Sequence, residues 1–197
     1  MRIVGGTASG RRLVAPPGSN TRPTGERVRE ALFNSMASSI VGAEILDLYG
    51  GSGALGLEAL SWGARRAIIV EPATSAQRTI RVNARALAME DRVELWSMTA
   101  ENAVRRLVGR ERFRLILCDP PWQAGVSQAV REDLARLLEP DGVIVLEHPF
   151  RSKPPAIAMA QPTETRKYGR TGLTFYREGV PRPAQPAGSH HSDDDRQ

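Results

Sequence analysis

From residue 44 onward, short apolar runs alternate with amphipathic stretches, and this alternation narrows the choice of architecture more than any other feature of the chain. Strands are expected at EILDLY, AIIVE, RVELW, FRLILC and GVIVLEH. Between them, helices are expected over GALGLEALSW, ended by Gly63, and from Thr74 to Met89, with Ile80, Ala84 and Leu87 on one face. Two more are expected, from Thr99 to Val108 and from Val126 to Leu138. Repeated βαβ units need right-handed crossovers and give a mostly parallel sheet with helices on both faces. The expected fold class is therefore α/β and Rossmann-like, and 197 residues suit one such domain.

The flanks depart from the alternation. RIVGG, TASG and RRLVA read as a small N-terminal hairpin, and PPGSNTRP as a loop that ends at Thr24, a helix cap with Glu26 in the first turn. Along the helix that follows, Val28, Ala31, Leu32 and Met36 recur at helical spacing, which leaves Arg22, Arg27 and Arg29 to face outward. After Pro149 two strand-like runs, TETRKYG and TGLTFYR, are expected to pair as a terminal hairpin. The last segment, PRPAQPAGSHHSDDDRQ, lacks apolar periodicity and is expected to be disordered. The chain thus divides into residues 1–39, an extension of hairpin and helix; residues 40–180, the α/β domain; and residues 181–197, a tail. His190 and His191 have only His148 as a further histidine, so no metal site is expected.

No apolar run approaches the roughly 18 to 20 residues that cross a bilayer, and the N-terminus has no secretory pattern, so a cytoplasmic address and no membrane are expected. Cys118 is the only cysteine, which excludes an internal disulfide, and it is expected in the core. The net charge of +5 is unevenly placed. Residues 1–33 hold six Arg against two Glu, and residues 150–180 hold six Lys or Arg against two Glu, while residues 34–149 hold thirteen Arg against fifteen acids. Two basic flanks around a slightly acidic centre suit a polyanion held beside a small-molecule site.

The centre of that region is DLYGGSGALGLEAL, Asp47 to Leu60, where a strand gives way to a helix. Gly51, Gly53 and Gly56 match G-x-G-x-x-G, and Glu71 stands twenty residues beyond Gly51 at the tip of the next strand, where an acid can take both hydroxyls of a ribose. Asp47 decides between cofactors. A pyrophosphate at the helix N-terminus would be repelled by a carboxylate beside it, whereas the ammonium and sulfonium of S-adenosylmethionine would be attracted. The motif therefore favours S-adenosylmethionine over a nicotinamide cofactor.

Asp119-Pro120-Pro121-Trp122 follows the fourth strand and so reaches the same edge of the sheet. An exocyclic amine is a poor nucleophile because its lone pair is delocalised into the ring. A carboxylate from Asp119 and a backbone carbonyl fixed by two prolines can accept its N–H groups and favour tetrahedral nitrogen, and Trp122 can stack on the base.

RIVGG with GRRL, TRPTGERVREALFN, DLYGGSGALGLEAL, DPPW and YGRTGLTFY together resemble the RsmD-type methyltransferases, over about residues 2–176. That family methylates N2 of a guanine in 16S ribosomal RNA. The resemblance implies a class I methyltransferase sheet of seven strands with the last inserted antiparallel, and an N-terminal extension that helps hold RNA. It implies S-adenosylmethionine bound by Asp47, Tyr49, Gly51, Ser52, Gly53, Glu71 and Pro72, with Met98 and Thr99 near the adenine. Asp119, Pro120, Pro121 and Trp122 would be catalytic, with Arg11, Arg12, Arg22, Arg27 and Arg29 on RNA. The expected partner is 16S ribosomal RNA, free or in an assembling subunit, and a monomer without metal is expected. Two departures from the family stand out: Trp122 replaces a Tyr or Phe, and Ser97-Met98-Thr99-Ala100 lacks the Asp that many class I enzymes place after the third strand. Three alternatives differ in chemistry: methylation of adenine N6 or a protein glutamine, a nicotinamide-linked oxidoreductase, and a non-catalytic RNA-binding module.

Overall fold

The computed structural model describes residues 1–16 and 25–179. The expected cap Thr24, the expected RNA contact Arg22, and the tail with His190 and His191 lie outside them.

Seven strands form one sheet: β1 (Glu44–Asp47), β2 (Arg66–Val70), β3 (Val93–Trp96), β4 (Phe113–Cys118), β5 (Leu138–Pro149), β6 (Ala160–Tyr168) and β7 (Thr171–Glu178). Their spatial order is β3-β2-β1-β4-β5-β7-β6. The first five are parallel, and β7 is inserted antiparallel between β5 and β6. The order reverses between β1 and β4, so a crevice opens at their carboxyl ends, where open α/β sheets bind ligands.

Helices α1 (Glu26–Ile40), α2 (Ala54–Ser61) and α3 (Thr74–Ala86) cover one face. Helices α4 (Ala100–Leu107) and α5 (Gln128–Asp133) cover the other. Neighbouring positions on a strand feed opposite cores, as period-two geometry requires: Leu115 and Leu117 pack with α1 to α3, Ile116 and Cys118 with α4 and α5. Cys118 is buried, as expected.

Three elements differ from the sequence reading. The helix expected over Val126 to Leu138 is a short α5 that tightens into a 3-10 helix at Leu134–Leu137, and Leu138 already opens β5. α3 stops at Ala86, because Ala88 takes a positive φ of 55°. The N-terminal hairpin pairs as expected but without extended strands, with one bridge, Arg2 with Arg12, around a 3-10 turn at Gly6–Ala8. Ile3, Gly10 and Leu13 donate across it to the Arg11, Ile3 and Met1 carbonyls, and its turn also bonds to α2. The Glu58 carboxylate accepts the N–H groups of Val4 and Gly5, and Ser61 Oγ accepts that of Ala8 at 2.9 Å.

Every residue of α2 is buried, Glu58 and Ser61 included, because the sheet lies on one side and the N-terminal extension on the other. A helix buried all round needs partners for its polar side chains. The extension supplies them.

Candidate active site

The turn after β1 is shaped by its glycines. Gly53 stands at the N-cap of α2 with φ of 79°, a left-handed conformation that a side chain disfavours. A Cβ on Gly56 would meet Ile69 at 2.8 Å, so glycine is what allows α2 to pack closely on β2.

Asp47 closes β1 and is wholly buried. Its Oδ2 accepts the Gly56 N–H at 3.1 Å and its Oδ1 that of Tyr49 at 3.4 Å. Burial pushes its carboxyl up to about 7, against the pull of those two bonds, and the nearby charges of Asp119 and Glu71 raise it further. Asp47 is expected at the amino-acid end of the cofactor; in the structure it is buried beside that turn, with each oxygen accepting one of the turn's N–H groups.

Glu71 follows β2. Its Oε2 accepts the Gly51 N–H and its Oε1 that of Ala73, both at 2.8 Å. Three N–H groups of the Gly-rich turn are thus committed within the protein, Gly51 to Glu71, Gly53 to the Gly50 carbonyl, and Gly56 to Asp47. A pyrophosphate would meet the Glu71 carboxylate at this edge, with Asp119 on the neighbouring side of the reversal. A Cβ at Gly51 would point into open space, with nothing nearer than the Tyr49 carbonyl at 4.0 Å. An open cradle rimmed by carboxylates fits S-adenosylmethionine, whose ammonium and sulfonium are cationic, and does not fit a dinucleotide.

Tyr49 is half-buried against the α4–α5 core, and burial pushes its phenol up. Ser52 contributes its carbonyl to Asn83, and Pro72 contributes its carbonyl to Gln77. Met98 is half-buried beyond β3, and Thr99 caps α4 by accepting the Asn102 N–H at 3.4 Å. Gln77 carries no mark in the sequence. From α3 it donates to the Glu71 carbonyl at 2.8 Å and accepts from Ser97 Oγ at 2.9 Å, tying the turns after β2 and β3 together where the adenine is expected.

Asp119 follows β4 directly, half-buried, one strand from Asp47. Pro120 is buried, and Pro121 is exposed. The Pro121 carbonyl accepts from Ala124 at 3.0 Å and Gly125 at 2.9 Å, closing a turn that carries Trp122 with 41% of its surface open. Register places a second acid, Glu147 of β5, beside Asp119, since Cys118 pairs with Leu146. Glu147 is buried, and its only signal in the sequence is an acid closing the apolar run of β5.

Among the expected RNA contacts, Arg11, Arg12 and Arg27 are exposed, and Arg11 also reaches the Ala86 carbonyl. Arg29 is not available. It is 1% exposed, with Nε 3.5 Å from Glu58 and Nη2 donating to the Arg2 carbonyl at 2.6 Å. Helical spacing assigns it outward, but the extension covers that side of α1 and turns it into a buried partner for Glu58. Asn83 of α3 likewise escapes the sequence reading. It accepts the Val14 N–H at 2.8 Å, and donates to the Val14 carbonyl at 3.0 Å and the Ser52 carbonyl at 2.9 Å, bracing the extension against the Gly-rich turn.

Sheet order, antiparallel β7 and an acidic crevice at the β1–β4 reversal define a methyltransferase of class I fold. Within that class, the chain belongs to the family described as "Conserved hypothetical protein 95", whose model matches residues 1–177. It is 35% identical over 182 residues to the Bacillus subtilis protein named "Putative rRNA methyltransferase YlbH", covering 90% of this chain and 99% of that one. It is 39% identical over 144 residues to "Ribosomal RNA small subunit methyltransferase D" of Escherichia coli strain K12, covering 72% and 68%. Among solved structures, "Putative methyltransferase yhhF" from Escherichia coli superposes with a TM-score of 0.77 at 29% identity, over 90% of this chain and 97% of that one.

Proposed function

We propose that this chain transfers a methyl group from S-adenosylmethionine to the exocyclic N2 amine of a guanine in 16S ribosomal RNA. The observation that carries the reading is the meeting at one sheet edge of the acidic Gly-rich turn and the Asp119 turn. The sequence relatives named for ribosomal RNA supply the substrate class.

Gly51 and Gly53 would hold the amino-acid end of the cofactor, and Glu71 the ribose hydroxyls. Asp47 keeps the turn in shape, while Gln77, Met98 and Thr99 border the adenine. When bound, S-adenosylmethionine supplies a methyl group on a sulfonium that leaves readily. Asp119 and the Pro120 carbonyl accept from the two N–H groups of the amine and so orient its lone pair. Trp122, open on the surface, stacks on the extruded base. Alignment of nitrogen and methyl supplies the rate, and no metal is needed. Arg11, Arg12, Arg22 and Arg27 meet phosphates. The chain acts as a monomer in the cytoplasm, on the RNA alone or in an assembling subunit.

The test is incubation of the purified chain with S-adenosylmethionine and unmodified 16S ribosomal RNA, followed by mass spectrometry of the nucleosides. N2-methylguanosine is expected. N6-methyladenosine, or methylation of protein alone, would overturn the assignment of the target.

A further inference from the structure

Positive charge also gathers on the far side of Asp119 from the N-terminal extension. Because β7 runs antiparallel to β5, with Pro149 opposite Thr171, the end of β5 and the β6–β7 turn both lie at the carboxyl edge of the sheet. The two turns are stapled together. Phe150 N–H donates to the Arg170 carbonyl at 2.8 Å, Ser152 N–H closes on the Pro149 carbonyl at 2.9 Å, and buried His148 bonds Thr174 at 2.8 Å beneath them.

Arg151 and Lys153 follow β5, Lys167 lies at the end of β6 and Arg170 in the β6–β7 turn, all exposed. The strands that carry them, β5, β7 and β6, lie one, two and three places from β4, which ends at Asp119, at about 4.8 Å per place across the sheet. Residues 148–163 and 165–177 contain no acid. Glu164, which separates the two stretches, is held by both ends of Arg166 at 2.7 and 2.8 Å. Among the described residues, no ion pair claims any of the four cations. Phe150 adds an aromatic ring that is 36% exposed, with Lys167 Nζ 4.9 Å from its centroid. A merely solvated face would mix signs of charge. An acid-free group of cations around an open aromatic ring has the composition of a surface for single-stranded nucleic acid.

We propose that these two turns form a second RNA-contacting lip, with the four cations on phosphates and Phe150 stacked on a base beside the target. The proposal rests on reading the chain as an RNA methyltransferase. It makes the grip two-sided, with the target guanine between this lip and the N-terminal extension.

The test uses the full chain and unmodified 16S ribosomal RNA in filter binding across a salt series, with calorimetry for S-adenosylmethionine. A variant carrying Arg151→Ala, Lys153→Ala, Lys167→Ala and Arg170→Ala should bind RNA at least tenfold more weakly at physiological salt. The slope of log affinity against log salt should become shallower by about 0.7 to 0.9 for each phosphate no longer neutralised. Cofactor affinity should hold. Phe150→Ala should weaken RNA binding by about fivefold or more, and Phe150→Tyr should restore it. A quadruple variant with unchanged RNA affinity and slope would overturn the lip while leaving the methyltransferase reading intact. If the parent chain binds RNA but modifies no base, and the variant loses the slope, the reading fails and the lip stands. A variant that binds and methylates naked RNA normally, yet fails on assembled small subunits, would assign the patch to a ribosomal protein and overturn the proposal.

Discussion

At Asp47, burial and hydrogen bonding pull in opposite directions, and burial wins. With its carboxyl pushed up to about 7, the native chain holds a proton that the unfolded chain gives up near pH 4. The native state therefore binds more protons through that window, so stability should fall as pH rises from about 4 to 7 and level off above. Urea unfolding at a series of pH values should show this fall in the parent chain and a flatter profile in Asp47→Asn. Parallel profiles would mean that the carboxyl ionises freely where it sits. Asp119 and Glu71 divide chemistry from binding. Asp119→Ala should abolish transfer while cofactor affinity stays within a few fold. Glu71→Ala should weaken cofactor binding by about 1.5 to 3 kcal/mol, because it removes a charged acceptor. Calorimetry beside turnover separates the two, and full turnover in Asp119→Ala would remove the proposed chemistry.

At the scale of elements, the joint between the N-terminal extension and α2 rests on buried polar groups. Val4, Gly5, Trp62 and Arg29 all donate to Glu58, yet burial still pushes its carboxyl above the usual range. Arg29→Ala would leave that carboxylate without its cation and should cost about 3 to 5 kcal/mol in urea unfolding. Arg27→Ala, on the exposed side of the same helix, should leave stability within about 0.5 kcal/mol and flatten the salt dependence of RNA binding. The reverse pattern would contradict the assignment of the two arginines.

This joint also shows where sequence reasoning ends. Strands β1 to β5, the turn glycines and the position of Asp119 are legible because period-two and period-3.6 patterns are local. Arg29 is not, because helical spacing cannot know that an extension from residues 1–16 covers the outer side of α1. Glu58 carries a signal, an acid inside the apolar run GALGLEALSW, that marks a buried acid in need of partners. Asn83 and Gln77 carry none, since each looks like any polar residue on an amphipathic helix until distant turns are brought to it.

Over the whole molecule, the charge asymmetry acquires a geometry. Four acids of the centre, Asp47, Glu71, Asp119 and Glu147, come to the carboxyl edge of the sheet. The N-terminal flank is held beside the Gly-rich turn after β1, and the second flank lies beyond β5 because β7 turns back beside it. A small cationic ligand and a polyanion can then meet at one edge without competing for the same charges. The most direct measurement is mass mapping of 16S ribosomal RNA from cells that lack this chain, and from such cells given back either the parent chain or Asp119→Ala. One guanine should lose its N2 methyl group in the deletion, regain it with the parent chain, and stay unmodified with Asp119→Ala. A methylation pattern unchanged by the deletion, or restored in full by Asp119→Ala, would contradict the account.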